Sequence, residues 1–285
     1  QVLTTMAAAA AGALIRPIRI LARDHTPQSI KFAVIGDWGS GDREETSVVR
    51  QLMGIHTRSP LDFVVTAGDN IYPNGSGRYF PSRFETPFAE LIRQRVNFYT
   101  VLGNHDVKEG RQDQSEYPDF NMGGSQYYSF KKGDGLAEFF MLDSNDFSRE
   151  QADWLDRALA ASSSPWKIAV FHHPIYSSGK WHGSDLKLRK DLEPILNKYS
   201  VPLAFSGHDH IYERVLPQNG VTYFVTGNSG KVRRNDVRRD SGITAASFDK
   251  DNSFMILEID RKKTRYTCVC QNGETVDEGE INAGG

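Results

Sequence analysis

The chain of 285 residues has little cysteine, which limits what disulfide bonds can do in its structure. Its two cysteines, Cys268 and Cys270, alternate within an apparent β-strand and therefore point to one face. A bridge between such near neighbours would need strained geometry. We expect packed thiols rather than a disulfide or a metal site, and they do not identify the redox compartment.

The chain also lacks an excess of charge of either sign. Lys and Arg number 34 against 36 Asp and Glu, so the formal net charge is −2 at pH 7. Such a balance gives no global attraction to nucleic acid or to a membrane surface. We therefore expect neither partner, and any specificity must come from a local site.

No apolar run is long enough to span a bilayer. The stretch MAAAAAGALI from Met6 to Ile15 has the length of the apolar region of a secretory signal. However, no basic segment precedes Met6, and an Ala-rich helix packed on the domain explains the stretch equally well. We treat residues 1–29 as an N-terminal segment, either signal remnant or packed helix, and residues 30–285 as a single domain.

From Ile30 the hydrophobic pattern is that of alternating strands and helices. The β-branched runs IKFAVIGD and LDFVVTAGD each end in Gly-Asp, and Arg43 to His56 between them has helical spacing. The apolar face of that helix consists of Val48, Val49, Leu52, Met53 and Ile55. This pattern predicts a βαβ unit. Three further pairs of helix and strand follow, ending in VLGN, VFHH and FSGHDH, so the fold class is α/β.

The C-terminal part changes character. The segments VTYFVTG, SFMILEID, RYTCVCQNG and ETVDEGEI resemble strands joined by polar turns, and Asn272-Gly273 is a strong hairpin signal. We predict that these strands form a second, largely antiparallel sheet.

Five short motifs, GDWGSG, GDNIY, GNHD, HHP and GHDH, carry metal-binding side chains at the ends of apolar runs. Ligands bind beyond the carboxyl ends of strands in open α/β sheets, so the motifs should converge on one edge. Asp37 and Asp69 follow glycines at two strand ends, Asn104 adds a neutral oxygen, and His208 and His210 share one side of an extended segment. Six of the eight histidines lie in or just after these motifs; His25 and His56 do not.

Tyr72, in GDNIY, is the most informative candidate ligand. Because the pKa of a phenol is near 10, a trivalent ion, most readily Fe(III), is needed to hold it as phenolate near neutral pH. Spacing alone favours an aromatic residue that flanks a strand and packs in the core.

The five motifs, in this order, resemble those of the purple acid phosphatases within the calcineurin-like metallophosphoesterases, most closely the small, tartrate-resistant type. The resemblance spans Phe32 to Gly230. It implies a four-layer αββα sandwich of two mixed β-sheets flanked by helices. It also implies a secreted or periplasmic acid phosphatase that acts on small phosphate monoesters.

The resemblance further implies a binuclear metal centre. One metal, usually Fe(III), would be held by Asp37, Asp69, Tyr72 and His210. The second, a divalent Fe, Zn or Mn, would be held by Asp69, Asn104, His172 and His208, so that Asp69 bridges the two. Because the family's ligand lies two residues before a proline, Pro174 selects His172 over its neighbour His173.

Two histidines are candidate catalytic residues. Paired cations neutralise a phosphate dianion and generate hydroxide for in-line attack, and a leaving alkoxide opposite that hydroxide needs a proton donor. The family places such histidines at the positions of His105 and His182, although His182 could also be an ordinary loop histidine. Tyr212, Glu213 and Arg214 match residues that brace the loop of the histidine ligands.

The stretch KVRRNDVRRD from Lys231 has two interpretations. It could form a basic collar that attracts phosphate, or a mobile, solvated loop. Its basic residues are Lys231, Arg233, Arg234, Arg238 and Arg239.

Four alternatives to a monoesterase remain open. A phosphodiesterase or a nucleotide hydrolase could use the same scaffold, and the loops at residues 74–83 and 109–124 give no readable specificity. An iron-binding redox module or a relict site belongs to a different class, but a relict would not need His105 or His182. The oligomeric state and the natural substrate cannot be deduced from this sequence.

Overall fold

A computed structural model of the chain describes residues 29–283. The apolar stretch from Met6 to Ile15 lies outside the described residues, so neither interpretation of it is tested. Within the described residues, no helix combines the length and the apolar character that crossing a membrane requires.

The first sheet has six strands in the order β13-β12-β11-β1-β2-β3. These are β1 (Ile30–Ile35), β2 (Phe63–Thr66), β3 (Asn97–Thr100), β11 (Ser253–Ile259), β12 (Lys263–Cys270) and β13 (Thr275–Asn282). β1, β2 and β3 are parallel, and the remaining pairs are antiparallel. Helix α1 (Arg43–Arg58), whose N-cap is Asp42, connects β1 to β2, which confirms the predicted βαβ unit.

The second sheet has seven strands in the order β10-β8-β9-β7-β6-β5-β4. These are β4 (Tyr128–Lys132), β5 (Ala137–Met141), β6 (Trp166–Val170), β7 (Leu203–Ser206), β8 (Tyr212–Val215), β9 (Thr222–Thr226) and β10 (Thr244–Phe248). The central strands β5, β6, β7 and β9 are parallel, and β4, β8 and β10 pair antiparallel with their neighbours.

Both sheets are mixed, as expected, but the prediction that the C-terminal strands form their own sheet is wrong. β9 lies in the second sheet beside β7, whereas β11, β12 and β13 extend the first sheet outward from β1. The reason is visible in burial. β9 is buried along its whole length, as a strand in the parallel interior must be, whereas β13 alternates as an edge strand does.

The two sheets pack face to face over an aromatic core. Phe32 and Phe63 of the first sheet stack at 5.0 Å, and Phe139 of the second meets Phe32 edge-on at 5.2 Å. Cys268 lies in this core, and both cysteines are buried free thiols, as predicted.

Helices cover the outer faces, which completes the αββα order of layers. Val48 and Leu52 of α1 pack against the outer face of the first sheet, and Leu155 and Leu192 pack against the second. The other helices are α2 (Ala89–Arg93), α3 (Arg111–Glu116), α4 (Arg149–Ala161) and α5 (Leu186–Lys198). Shorter turns of 3₁₀ or π type span Gly77–Tyr79, Pro81–Glu85 and Pro118–Phe120.

Candidate metal centre

All seven candidate ligands lie at one edge of the sandwich, where parallel strands of both sheets end. Asp37 follows β1, Asp69 and Tyr72 follow β2, and Asn104 follows β3. From the second sheet, His172 follows β6, and His208 and His210 follow β7. The two sheets thus supply the two halves of one cluster.

The backbone turns sharply at three of these residues. Asp37, Asp69 and His208 have φ angles of 53°, 50° and 68°, in the left-handed region that non-glycine residues rarely adopt. Close packing explains the glycines that precede Asn104 and His208. A Cβ at Gly103 would overlap Asp69, and one at Gly207 would overlap the Asp37 carboxylate.

One half of the cluster, which we call the tyrosine side, consists of Asp37, Tyr72 and His210. The Tyr72 hydroxyl lies 3.2 Å from Asp37 Oδ1 and 3.3 Å from His210 Nε2, which itself lies 3.3 Å from Asp37 Oδ1. The backbone N–H of His208 donates to Asp37 Oδ2 at 2.8 Å and fixes the carboxylate. Three potential ligand atoms therefore surround one point.

The other half, which we call the asparagine side, consists of Asn104, His172 and His208. His172 Nε2 lies 3.1 Å from Asn104 Oδ1 and 3.5 Å from Asp69 Oδ1, and the His172 and His208 rings are 5.0 Å apart. Asp37, Asp69 and His172 each offer an atom within 4.8 Å of the others, so Asp69 lies close to residues of both sides.

His172 is held in the tautomer that a ligand needs. Its Nδ1 lies 2.8 Å from the carbonyl oxygen of Ala67, which can only accept a hydrogen bond. Nδ1 therefore carries the proton, and the lone pair of Nε2 faces Asn104 and Asp69. A backbone carbonyl that orients a ligating imidazole in this way is a common feature of metal sites.

Burial shifts the titration of these groups in ways that suit cation binding. Desolvation, and then the charge of Asp69, raises the pKa of Asp37 well above its ordinary value. Desolvation lowers the pKa of His172 and His208 and brings that of His210 to about 4, so these rings are neutral above that pH. Desolvation and the nearby carboxylates raise the pKa of Tyr72, so a cation is needed to ionise it.

The two candidate catalytic histidines lie on different sides of the cluster. The backbone N–H of His105 donates to Asp69 Oδ1 at 2.8 Å, and its Nδ1 lies 2.7 Å from the carbonyl oxygen of Pro73. His182 is exposed, and its ring centroid is 3.9 Å from that of His208.

Asp209, between the histidines of GHDH, was not singled out in the sequence. It is buried, and it accepts hydrogen bonds from Ser177 Oγ at 2.5 Å and from the Gly183 backbone N–H at 3.1 Å. It therefore holds the loop that carries His182. Glu213 braces the same loop by accepting from the Ser178 backbone N–H at 2.7 Å.

Tyr212 and Arg214 contact a different element from the one expected of them. Both donate to Asp277 Oδ2 on strand β13, at 2.7 and 2.8 Å. They therefore tie the second sheet to the edge of the first rather than bracing the loop of histidine ligands.

Asp106, the last residue of GNHD, is a second buried carboxylate that the sequence did not single out. It accepts hydrogen bonds from the backbone N–H groups of Asn70, Ile71 and Gly103 at 2.8–3.0 Å. These bonds lock the loop of Asp69 and Tyr72 to the loop of Asn104.

The basic stretch from Lys231 is packed against the cluster at some residues and exposed to solvent at others. Val237 is buried, and Arg233 N–H donates to the His210 carbonyl at 2.9 Å. Lys231 Nζ lies 5.5 Å from the centroid of the Tyr72 ring, and the Arg233 guanidinium lies 4.2 Å from that of exposed Trp181. Arg234, Arg238 and Arg239 are exposed.

Known proteins share both the sequence and the fold. The calcineurin-like phosphoesterase family matches residues 30–212. Purple acid phosphatase 17 of Arabidopsis thaliana is 32% identical over 240 residues, which cover 73% of this chain and 71% of that protein. Tartrate-resistant acid phosphatase type 5 of Rattus norvegicus is 27% identical, over 93% and 94% of the two chains.

A solved structure supports the assignment of the fold. The purple acid phosphatase PPD1 from seeds of yellow lupin, Lupinus luteus, superposes with a TM-score of 0.75 at 20% identity. The match covers 89% of this chain and 54% of that one, so this chain spans about half of the lupin protein.

Proposed function

Because the chain belongs to the calcineurin-like phosphoesterases, among the purple acid phosphatases, we propose that it is an acid phosphatase that hydrolyses small phosphate monoesters at a two-metal centre. The observation that supports the proposal is that Asp69 lies close to residues of both the tyrosine side and the asparagine side. One carboxylate there can serve two cations at once.

The residues fit two different cations. Asp37, Asp69, Tyr72 and His210 would hold Fe(III), because a phenol and two carboxylates suit an ion of high charge. Asp69, Asn104, His172 and His208 would hold divalent Fe, Zn or Mn. When bound, the pair supplies charge neutralisation of the phosphate dianion and activation of the attacking water.

The protein's own contribution is to orient the substrate and to transfer protons. His105 is fixed at Nδ1 by the Pro73 carbonyl, which leaves its Nε2 as the free atom, 4.0 Å from Asp69 Oδ2. His182, exposed beside His208, is accessible to a bound ester. When doubly protonated, either ring can donate a proton to the leaving oxygen, a step that typically contributes about 10²–10⁴ in rate.

The experiment that tests this function compares a phosphate monoester with the corresponding diester on the metal-loaded protein. We expect kcat/KM for the monoester to exceed that for the diester, with maximal activity in acid. A strong preference for the diester would replace this proposal with a phosphodiesterase. Absence of peroxide turnover in a metal-loaded protein that hydrolyses the ester would leave no support for a redox module.

We also propose that the protein is secreted or periplasmic. The support is the apolar stretch from Met6 to Ile15, which has the length of the apolar region of an export signal. Cell fractionation with N-terminal sequencing of the mature protein tests this, and recovery of residues 6–15 intact in the cytoplasmic fraction would contradict it.

A further inference from the structure

His173, the second histidine of HHP, has no part in the proposed function, although it lies beside the candidate ligands. Its ring centroid is 4.5 Å from that of His208 and 5.0 Å from that of His172. One of its nitrogens lies within 4.8 Å of a nitrogen of each of those residues. Proximity alone would make it a rival ligand to His172, so its protonation decides its role.

The hydrogen bonds of Ser144 determine where the proton of His173 lies. Ser144 Oγ accepts from the backbone N–H of His172 at 3.2 Å and from that of His173 at 3.0 Å. These two bonds occupy both lone pairs of the hydroxyl, which leaves only its proton for the contact of 2.9 Å with His173 Nδ1. Nδ1 is therefore an acceptor, and the imidazole proton lies on Nε2.

By this assignment, the two adjacent histidines carry their protons on different ring nitrogens. The Ala67 carbonyl places the proton of His172 on Nδ1 and presents an Nε2 lone pair, which a cation needs. Ser144 places the proton of His173 on Nε2, which presents an N–H group, and an N–H group repels a cation but donates to an anion. His173 is therefore unsuited to ligate and suited to contact the substrate.

The surroundings of His173 leave its N–H available. The ring is partly exposed, between Ser144 and the ring of His208, and no acceptor among residues 29–283 forms a hydrogen bond with its Nε2. A phosphoryl group bound by two cations still has a non-bridging oxygen that needs a donor.

We propose that His173 is a phosphate-binding residue, whose Nε2–H donates a hydrogen bond to a non-bridging oxygen of the bound phosphoryl group, with Ser144 as the positioning residue that fixes its tautomer. This inference rests on the proposed function for the identity of the anion.

The test measures the affinity of the metal-loaded protein for inorganic phosphate by calorimetry, with the metal content of each variant determined by elemental analysis. We expect His173→Leu to keep both metals and to bind phosphate about 10- to 100-fold more weakly, since a hydrogen bond to a charged group is lost. His173→Gln, whose amide N–H can replace Nε2–H, should recover most of the affinity.

Ser144→Ala provides the test of the tautomer. Without the hydroxyl the ring can move its proton between its nitrogens, so we expect a smaller loss of phosphate affinity than in His173→Leu, with full metal content. Phosphate affinity within twofold of the parent in His173→Leu would overturn the proposal. Loss of one metal ion in that variant would overturn it differently, by making His173 a ligand.

These outcomes are separate from the failure of the proposed function, because phosphate binding requires no turnover. A protein that binds phosphate through His173 but prefers diesters would contradict the monoesterase and leave this inference intact. Normal monoester hydrolysis with no effect of His173 on phosphate affinity would do the reverse.

Discussion

The tyrosine side and the asparagine side both lie close to Asp69 but differ in the charge that they offer a cation. The tyrosine side adds a carboxylate, Asp37, and an ionisable phenol, Tyr72, whereas the asparagine side adds only the neutral groups of Asn104, His172 and His208. More anionic ligands favour a cation of higher charge. The difference therefore predicts two cations of different charge rather than two equivalent ions.

The surroundings differ in the same sense. Lys231 Nζ lies 5.5 Å from the centroid of the Tyr72 ring on the tyrosine side and forms an ion pair with Asp42 at 3.4 Å. On the asparagine side, the rings of His173 and His182 pack against that of His208. The function that we propose assigns charge neutralisation to the first side and proton donation to the second.

Replacing Asp69 by Asn should disrupt both sides at once, because it removes the carboxylate that we propose is common to them. Since two cations contribute several kcal/mol of transition-state stabilisation, we expect kcat/KM to fall by about 10⁴-fold or more, with loss of both metals. Elemental analysis and steady-state kinetics measure this, and circular dichroism controls for folding. A variant that keeps both metals would show that Asp69 does not bridge.

Replacing both His105 and His182 by Ala should leave both sides with their metals bound but remove the proton donors for the leaving group. We expect kcat to fall by about 10³-fold with unchanged metal content. The matched control is His56→Gln, since His56 lies on α1 and bonds to Gln94. If hydrolysis were unchanged, another group must be the donor.

Tyr72→Phe and Asn104→Ala should affect the visible absorption spectrum differently, because each changes a different side. A phenolate bound to Fe(III) absorbs visible light, so the purple colour should disappear in Tyr72→Phe and persist in Asn104→Ala, which should instead lose divalent metal. We expect about a tenfold loss of activity in Tyr72→Phe, since the other three ligands of that ion remain. Absorption spectra of the purified proteins decide, and a colourless but fully metallated parent would assign Tyr72 a structural role.

Lys231→Met should have the smallest effect. Because a partly exposed charge acts mainly through long-range attraction, we expect KM for a monoester to rise about threefold at low salt and the difference to shrink at high salt. Lys198→Met, on the outer helix α5, serves as the control. A change in KM that is independent of salt would indicate direct contact with substrate instead.

The convergence of the candidate ligands could be predicted from the sequence because they lie at strand ends, whereas the ligand set itself came from the resemblance to a family. Val64 and Val65 in β2 are buried on both faces, and the Gly-Asp that follows marks where such a strand must end. Parallel strands then bring the motifs to one edge without any knowledge of long-range contacts.

The features that could not be predicted depend on which strands pair and which loops form hydrogen bonds with each other. The segments at β9 and β11 both look like buried strands, and only packing decides which sheet each joins. Ser144 and Asp209 belong to no pattern that reveals their bonds, because those bonds cross between loops that are distant in sequence.

The left-handed backbone at Asp37, Asp69 and His208 has a consequence for how such a protein evolves. Each of these residues is held in a conformation that costs about 1–3 kcal/mol, so drift without selection for chemistry should replace them with glycine or asparagine while the sandwich persists. An Asp37→Gly variant should unfold at a higher temperature than its parent when both lack metal, and at a lower temperature when both are loaded. The presence of Asp37, Asp69 and His208 at these strained positions is what selection for the proposed centre would produce.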